Sequence, residues 1–382
     1  MKIVIASDKF KGTLTGAEVA AALHSGLARS IPQLDTVTVP VADGGEGTVD
    51  AALAAGFTQV TVTVTGPTGQ PVDAAYATNG DTAVIEMAAA SGLDVLPGGR
   101  KEPLTATSYG TGELVKHALQ AGATQIVLGV GGSATTDAGA GMLQALGVLL
   151  KDRAGRELPG GGAALADVAR IDFTALENLL AGTSMVLAAD VDNPLTGPNG
   201  AAAIFGPQKG ASDSQVRELD AALGHFAGVL EEQLGTGYRQ NPGAGAAGGM
   251  GYAAMALLGA KRRRGIDVVL ELTGLAEALE GADAVITGEG SLDHQSLEGK
   301  TPIGVAELAG SRGVPVYAVC GRTTLGDEEL ASAGIRHTVA LVDLVEDPSE
   351  AMSRAAALVS KAGEQLGQVI AAEHVADPVR QG

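Results

Sequence analysis

At 382 residues, 45% hydrophobic and 18% charged, the chain has enough length and apolar content for two or three globular domains and is too apolar to be disordered. Its formal net charge of −19 makes nucleic-acid backbones and anionic membranes poor partners, and no apolar run approaches the length of a membrane span. The single cysteine, Cys320, precludes an internal disulfide framework; the first apolar run stops at Asp8, too early for a secretory signal, so a cytoplasmic chain is expected.

Residues 2–7 (KIVIAS) are a short apolar run of the kind that forms a buried parallel strand. Thr15 and Glu18 then make a capping-box pattern ahead of Val19, Leu23 and Leu27 at helical spacing. DTVTVPVADGG repeats the theme, followed by a helix carrying Val49 and Leu53. TQVTVTVTGPTGQPVDAAYATNGDTAVIEMA alternates and carries turn signals, which predicts antiparallel pairing. TQIVLGVGG and SMVLAADVDNP continue as strands with helices between. The basic run Lys261–Arg264 reads first as a solvated turn before GIDVVLEL and second as a phosphate-gathering patch. ADAVITGEG, VPVYAVCGR (with Cys320 as a core thiol) and RHTVALVD return to strand–helix alternation. A long helix is predicted over 349–372, with a frayed tail from Asp377. This pattern predicts a discontinuous α/β domain built from 1–60 and 276–382, with a second α/β domain, 61–275, inserted into it.

In open α/β sheets ligands bind beyond the carboxyl ends of strands. The residues there are Ser7-Asp8-Lys9-Phe10-Lys11, Asp43-Gly44-Gly45-Glu46-Gly47, Gly131-Gly132-Ser133 with Thr135-Thr136-Asp137, Asp190-Val191-Asp192-Asn193, Gly288-Glu289-Gly290-Ser291, and Gly321-Arg322. Any one group reads as ordinary helix capping. Together they match what phosphoryl transfer requires: glycines that let backbone N–H groups reach phosphate oxygens, cations that neutralise charge, and carboxylates for Mg2+ and for orienting a hydroxyl. Asp190 and Asp192, placed on a strand and flanking Val191, face one side; a metal or cationic group would relieve their repulsion, and turn capping is the alternative. Glu86 interrupts an apolar strand and is either partnered or at the site, while Tyr109 and Thr111 read first as a helix start and second as a ligand contact.

Several familiar motifs do not fit. Gly299-Lys300-Thr301 ends like a P-loop, but His294 stands where the opening glycine belongs. Lys300 then either pairs with Glu298 or contacts a ligand. GAGAAG (243–248) matches a dinucleotide fingerprint without a preceding strand, and GVGGSA (129–134) follows a strand without the prompt helix. No G-x-S-x-G elbow is present and the six histidines are scattered, which argues against serine hydrolysis and zinc.

The ordered segments SDKFKGTLT, VADGGEGT, SYGTGELV, GVGGSATTDAGAGML, DVDNPLTGPNGAA, IFGPQKGA, GAGAAGGMGYA and GEGSLDHQSLEGKTPIGVA resemble the bacterial type I glycerate kinases over nearly the whole chain. The resemblance implies a Rossmann- or flavodoxin-like parallel-sheet domain with an inserted mixed α/β domain, and a site in the cleft between them. It also implies ATP- and Mg2+-dependent phosphorylation of D-glycerate, with 2-phosphoglycerate as the expected product. On strand-end position and charge, Asp190 is expected to orient the substrate hydroxyl, with Asp192 as its alternate. Lys9 and Lys11 would neutralise phosphate or carboxylate, and Arg322 would clamp the carboxylate. Ser7, Asp8, Asp43, Gly44, Gly45 and Lys300 would contact substrate. Gly131, Gly132, Ser133, Asp137, Gly288, Gly290 and Ser291 would face phosphate, and Asp293 and Glu289 would hold the metal. A kinase for a related sugar acid, a non-catalytic nucleotide sensor and a nicotinamide oxidoreductase are the competing classes.

Overall fold

The structure is a computed structural model that describes residues 1–42, 44–45 and 47–376; Asp43, Glu46 and the tail from Asp377 lie outside the described residues. In chain order the strands are β1 (Lys2–Ser7), β2 (Asp35–Thr38), β3 (Thr58–Thr65), β4 (Pro71–Thr78), β5 (Thr82–Glu86), β6 (Gln125–Gly129), β7 (Leu149–Lys151), β8 (Arg170–Asp172), β9 (Ser184–Ala188), β10 (Lys261–Arg263), β11 (Ala284–Leu292), β12 (Val316–Thr323) and β13 (Ile335–Ala340). They fall into two compact units. One is discontinuous, Met1–Asp43 with Ile266–Gly382; the other is continuous, Gly44–Gly265. These seams lie upstream of the expected 60/61 and 275/276. The helix Thr48–Ala54 packs on β4 and β5, and Ile266 and Leu270 of the GIDVVLEL helix belong to the core of the discontinuous unit.

The discontinuous unit is a five-stranded parallel sheet, ordered β13-β12-β11-β1-β2, with helices on both faces. Side chains alternate across a strand. Ile3 and Ile5 therefore join Val19, Leu23 and Leu27 of the helix Gly16–Ser30 and Leu358, Val359 and Leu366 of the helix Ala355–Ala376. Val4 and Ala6 join Ile266 and Leu270 on the other face, with Ile303 and Val305 of the helix Thr301–Ser311. The Thr15 hydroxyl accepts the Glu18 N–H at 3.3 Å and the Glu18 carboxylate accepts the Thr15 N–H at 2.8 Å, completing the capping box. A Cβ on Gly26 would sit 2.0 Å from the Ser360 carbonyl, so glycine there lets the first and last long helices touch. The predicted single terminal helix is broken at Arg354, with the short helix Glu350–Ser353 ahead of Ala355.

The continuous unit carries a six-stranded mixed sheet, β10-β9-β6-β5-β4-β3, and a separate β7–β8 ribbon. β3, β4 and β5 pair antiparallel; β5, β6, β9 and β10 pair parallel. Its core runs from Ile85, Leu128 and Leu187 to an edge-on Phe226–Tyr252 pair with ring centroids 6.1 Å apart. The basic run at 261–263 is not a turn but the edge strand β10, a position where charged side chains are tolerated. Among the described residues no helix is long and apolar enough to cross a membrane.

Candidate active site

In the continuous unit the parallel strands end level, with Glu86, Gly129, Ala188 and Arg263 in register. The chain leaving β6 forms the turn Val130-Gly131-Gly132-Ser133. Its Gly132 carbonyl accepts the Leu93 N–H at 3.0 Å, and the Ala134 N–H reaches the Ser91 carbonyl at 2.9 Å. Gly132 has φ +68°, a conformation that glycine adopts without cost. The chain leaving β9 carries Asp190, whose carboxylate accepts the Gly265 N–H at 2.8 Å. Gly44 backs this contact: with φ +86° it lies so close to Gly265 that a Cβ would stand 2.1 Å from the Gly265 Cα.

Gly44, Gly45, Gly131, Gly132, Ser133 and Asp190 together line a cavity of about 210 Å3, with Phe205, Gln208 and Ala247 on its wall. Six residues expected at strand ends therefore meet around one space. Asp192 does not line it. The sequence placed Asp190 and Asp192 on one strand face, but β9 stops at Ala188, so strand alternation does not govern either. Asp192 instead takes an ion pair from Arg262 at 2.7 Å, and the same guanidinium donates to the Ala189 carbonyl at 3.2 Å.

Asp137 is fully buried beneath the turn. Its carboxylate accepts from the Ser108 N–H and hydroxyl, both at 2.8 Å, and from the Gly139 and Gly141 N–H groups. Burial pushes its pKa up against those four bonds. It shapes the loop from within and is not displayed to a ligand. Glu86 is partnered: its carboxylate caps the helix Thr48–Ala54 through the Gly47 and Val49 N–H groups at 3.0 and 2.9 Å, and burial raises its pKa. Thr111 bonds Ser91 at 2.8 Å, which supports the segment holding Gly132. The GAGAAG fingerprint is a packing device. A Cβ on Gly248 would stand 2.0 Å from the Thr135 carbonyl, and one on Gly249 2.7 Å from the Ala138 Cα.

In the discontinuous unit β1 ends at Ser7, opposite Gly288 with Val319 beyond it, while β11 and β12 run on as a pair to Leu292 and Thr323. The Asp8 N–H donates to the Gly288 carbonyl at 2.9 Å. The Asp8 carboxylate accepts the Lys9 N–H at 2.7 Å and the Thr301 hydroxyl at 3.2 Å. Lys9 and Lys11 follow on the loop after β1. Gly288 is required by packing, since a Cβ would stand 2.1 Å from the Val319 carbonyl; beside Gly290 there is ordinary room. Glu289 has one buried oxygen, Oε1, with no hydrogen-bond partner among the described residues. Burial lifts its pKa to about 7, with Asp8 and Asp293 adding to the rise and Ser296 and Lys300 opposing it. Asp293 accepts the Gln295 N–H at 3.0 Å, and Arg322 donates to the Ser291 hydroxyl at 3.2 Å. Lys300 is the residue that opens the helix Thr301–Ser311, after Gly299 at φ +102°. The segment is thus a strand, a turn and a helix start whose threonine is committed to Asp8.

An under-bonded carboxylate pressed by two like charges favours a cation, which tests well for Mg2+. Among the described residues no group of three or more His, Cys, Asp or Glu forms a metal cluster, and Mg2+ shared with phosphates does not need one. Asp43 lies outside the described residues. The sequence reading missed Lys209, Gln208, Phe205 and Gly265. For Phe205, Gln208 and Lys209 the one signal was the IFGPQKGA segment, where a lone lysine follows an apolar run; Gly265 stands directly after the basic run Lys261–Arg264.

Residues 3–371 match the sequence model of the Glycerate kinase family. The chain is 46% identical to the glycerate kinase of Bacillus subtilis (strain 168) over 93% of its own length and 96% of that protein. It is 50% identical to the glycerate 2-kinase of Escherichia coli (strain K12) over 85% of its own length and 86% of that protein. A crystal structure from Salmonella typhimurium LT2, provisionally described as glycerate kinase 2, superposes with a TM-score of 0.87 at 42% identity, covering 98% of this chain and 99% of that one. With a mixed α/β fold and sequence identity sustained over nearly its whole length, the chain belongs to the glycerate kinase family and is a kinase.

Proposed function

We propose that this kinase transfers the γ-phosphoryl group of ATP, with Mg2+, to the 2-hydroxyl of D-glycerate, giving 2-phosphoglycerate and ADP. The observation that carries the reading is Asp190: an exposed carboxylate held by the Gly265 N–H on the wall of the cavity that Gly131, Gly132 and Ser133 also line. A carboxylate anchored by a backbone donor at the cavity wall is placed to accept the hydroxyl proton as the new P–O bond forms and the bond to the β-phosphate breaks. The Gly131–Ser133 turn brings backbone and hydroxyl donors to the phosphoryl oxygens. Asp192, engaged by Arg262, is left a secondary part.

The remaining roles come from the discontinuous unit. Lys9, Lys11 and Lys300 neutralise anionic charge, and Arg322 pairs with the substrate carboxylate. Ser7, Asp8, Gly290 and Ser291 border this end, and Glu289 with Asp293 holds Mg2+, directly or through water. Mg2+ supplies charge neutralisation on the transferring phosphates. Kinase membership implies ATP use, and the name of the Escherichia coli relative supports the 2-position.

Phosphorus NMR of the product from ATP, Mg2+ and D-glycerate tests the reading in one measurement. A product signal split by one proton places the phosphate on C2. Splitting by two protons would move it to C3, and no product with D-glycerate would remove this substrate.

A further inference from the structure

Lys209 is 1% exposed, an uncommon setting for a lysine, and it lies in the continuous unit beneath the loop that follows β6. Its ammonium donates to the Thr135 carbonyl at 2.5 Å. Thr135 stands two residues beyond Ser133. The loop is tied on either side of it by the Ala134 N–H on Ser91 and by the Ala138 N–H on Gly248 at 3.0 Å. Backbone closes over the same carbonyl, since Gly248 approaches it too closely for any Cβ. The charge of Asp137, which itself gathers Ser108, Gly139 and Gly141, acts on Lys209. Burial lowers the lysine pKa to about 7, and Asp137 opposes that shift. Burying a charged group is costly, and an apolar side chain would fill this space without that cost.

The geometry supplies a reason for a lysine here. Lys209 sits in the turn Pro207–Lys209, which follows the helix Ala201–Phe205; Phe205 and Gln208 of that segment line the 210 Å3 cavity. The same segment therefore forms part of the cavity wall and, one residue later, holds the Gly131–Ala138 loop from below. We infer that Lys209 is a positioning residue of this kinase: it fixes the Thr135 carbonyl and so holds the Gly131–Ser133 donors in place for the phosphoryl group. The inference rests on the reading that the Gly131–Ser133 turn serves phosphoryl transfer.

The test compares Lys209→Met and Lys209→Gln with Leu230→Ala, a variant of a buried core leucine that lowers stability by leaving a cavity. Two measurements are made on folded protein: amide hydrogen exchange across 131–138, and kcat and KM with ATP and D-glycerate. In Lys209→Met, exchange at Ala134 and Ala138 is expected to rise at least tenfold and kcat to fall at least tenfold. Lys209→Gln, which keeps an N–H donor, recovers part of both, and Leu230→Ala leaves both within threefold. The inference is overturned if either quantity in Lys209→Met stays within threefold of wild type, or if Leu230→Ala reproduces both losses. It is also overturned if neither lysine variant folds, since Lys209 would then serve core stability alone. A wild-type enzyme inactive on D-glycerate would remove the substrate reading, and the exchange arm would still decide whether Lys209 holds the loop.

Discussion

In the continuous unit the strand ends present glycine backbone and one exposed carboxylate, Asp190, around a cavity. In the discontinuous unit they present carboxylates and cations: Asp8 tied to Thr301, Glu289 half satisfied, and Lys300 and Arg322 nearby in the chain or on the neighbouring strand. Backbone donors are fixed by the fold and need no reorganisation when charge develops, which suits a transition state. Charged side chains carry more charge per residue but must be matched to a counter-ion, which suits a metal and an anionic substrate. A net charge of −19 repels anions, and each device offsets that field where it stands.

That contrast is open to direct tests. The largest effect is expected at Asp190. Asp190→Asn keeps an acceptor for the Gly265 N–H but loses the base, so kcat should drop by roughly 10²–10⁴-fold with little change in thermal unfolding. Activity within a few-fold of wild type would end the base assignment. Next comes Glu289→Gln, which removes a carboxyl that burial and two neighbours already disfavour in its charged form. Titration of activity with Mg2+ should show a requirement raised by about 10–100-fold, as for loss of a metal-supporting group, with unfolding temperature unchanged or higher. An unaltered Mg2+ requirement would take the metal away from this strand end. The smallest effect is expected at the rim. Arg262→Ala breaks an ion pair whose Asp192 partner is 79% exposed, so stability should change by less than about 1 kcal/mol and kcat by no more than a few-fold. A large loss of kcat there would promote Asp192 to a direct role.

Much of the fold was legible because apolar runs and period-two alternation report burial directly. β1, β3, β4, β6, β9, β11 and β12 all fall on such runs. β10 was not legible, since Lys261-Arg262-Arg263 carries no apolar signal and becomes a strand only because β9 offers it an edge. The glycine turn and Asp190 were legible as strand-end chemistry. Whether an acid faces a ligand or the loop's own backbone was not, and Asp137 and Glu86 both turn to backbone N–H groups. Lys209 escaped for the same physical reason. Its hydrogen-bond partner Thr135 and the neighbouring charge of Asp137 lie far from it in the chain.

The order of strands in the discontinuous unit also bears on how the chain is made. β1 lies between β2 and β11, and the helix Gly16–Ser30 packs on the last long helix through Gly26. On the ribosome the first two strands emerge early, yet β11 arrives only after the whole of the continuous unit has been synthesised. The continuous unit can fold as soon as it is complete, whereas β1 must keep one edge unpaired until then, which is when such edges invite wrong partners. The slow step in maturation of this enzyme is therefore expected to be closure of the five-stranded sheet.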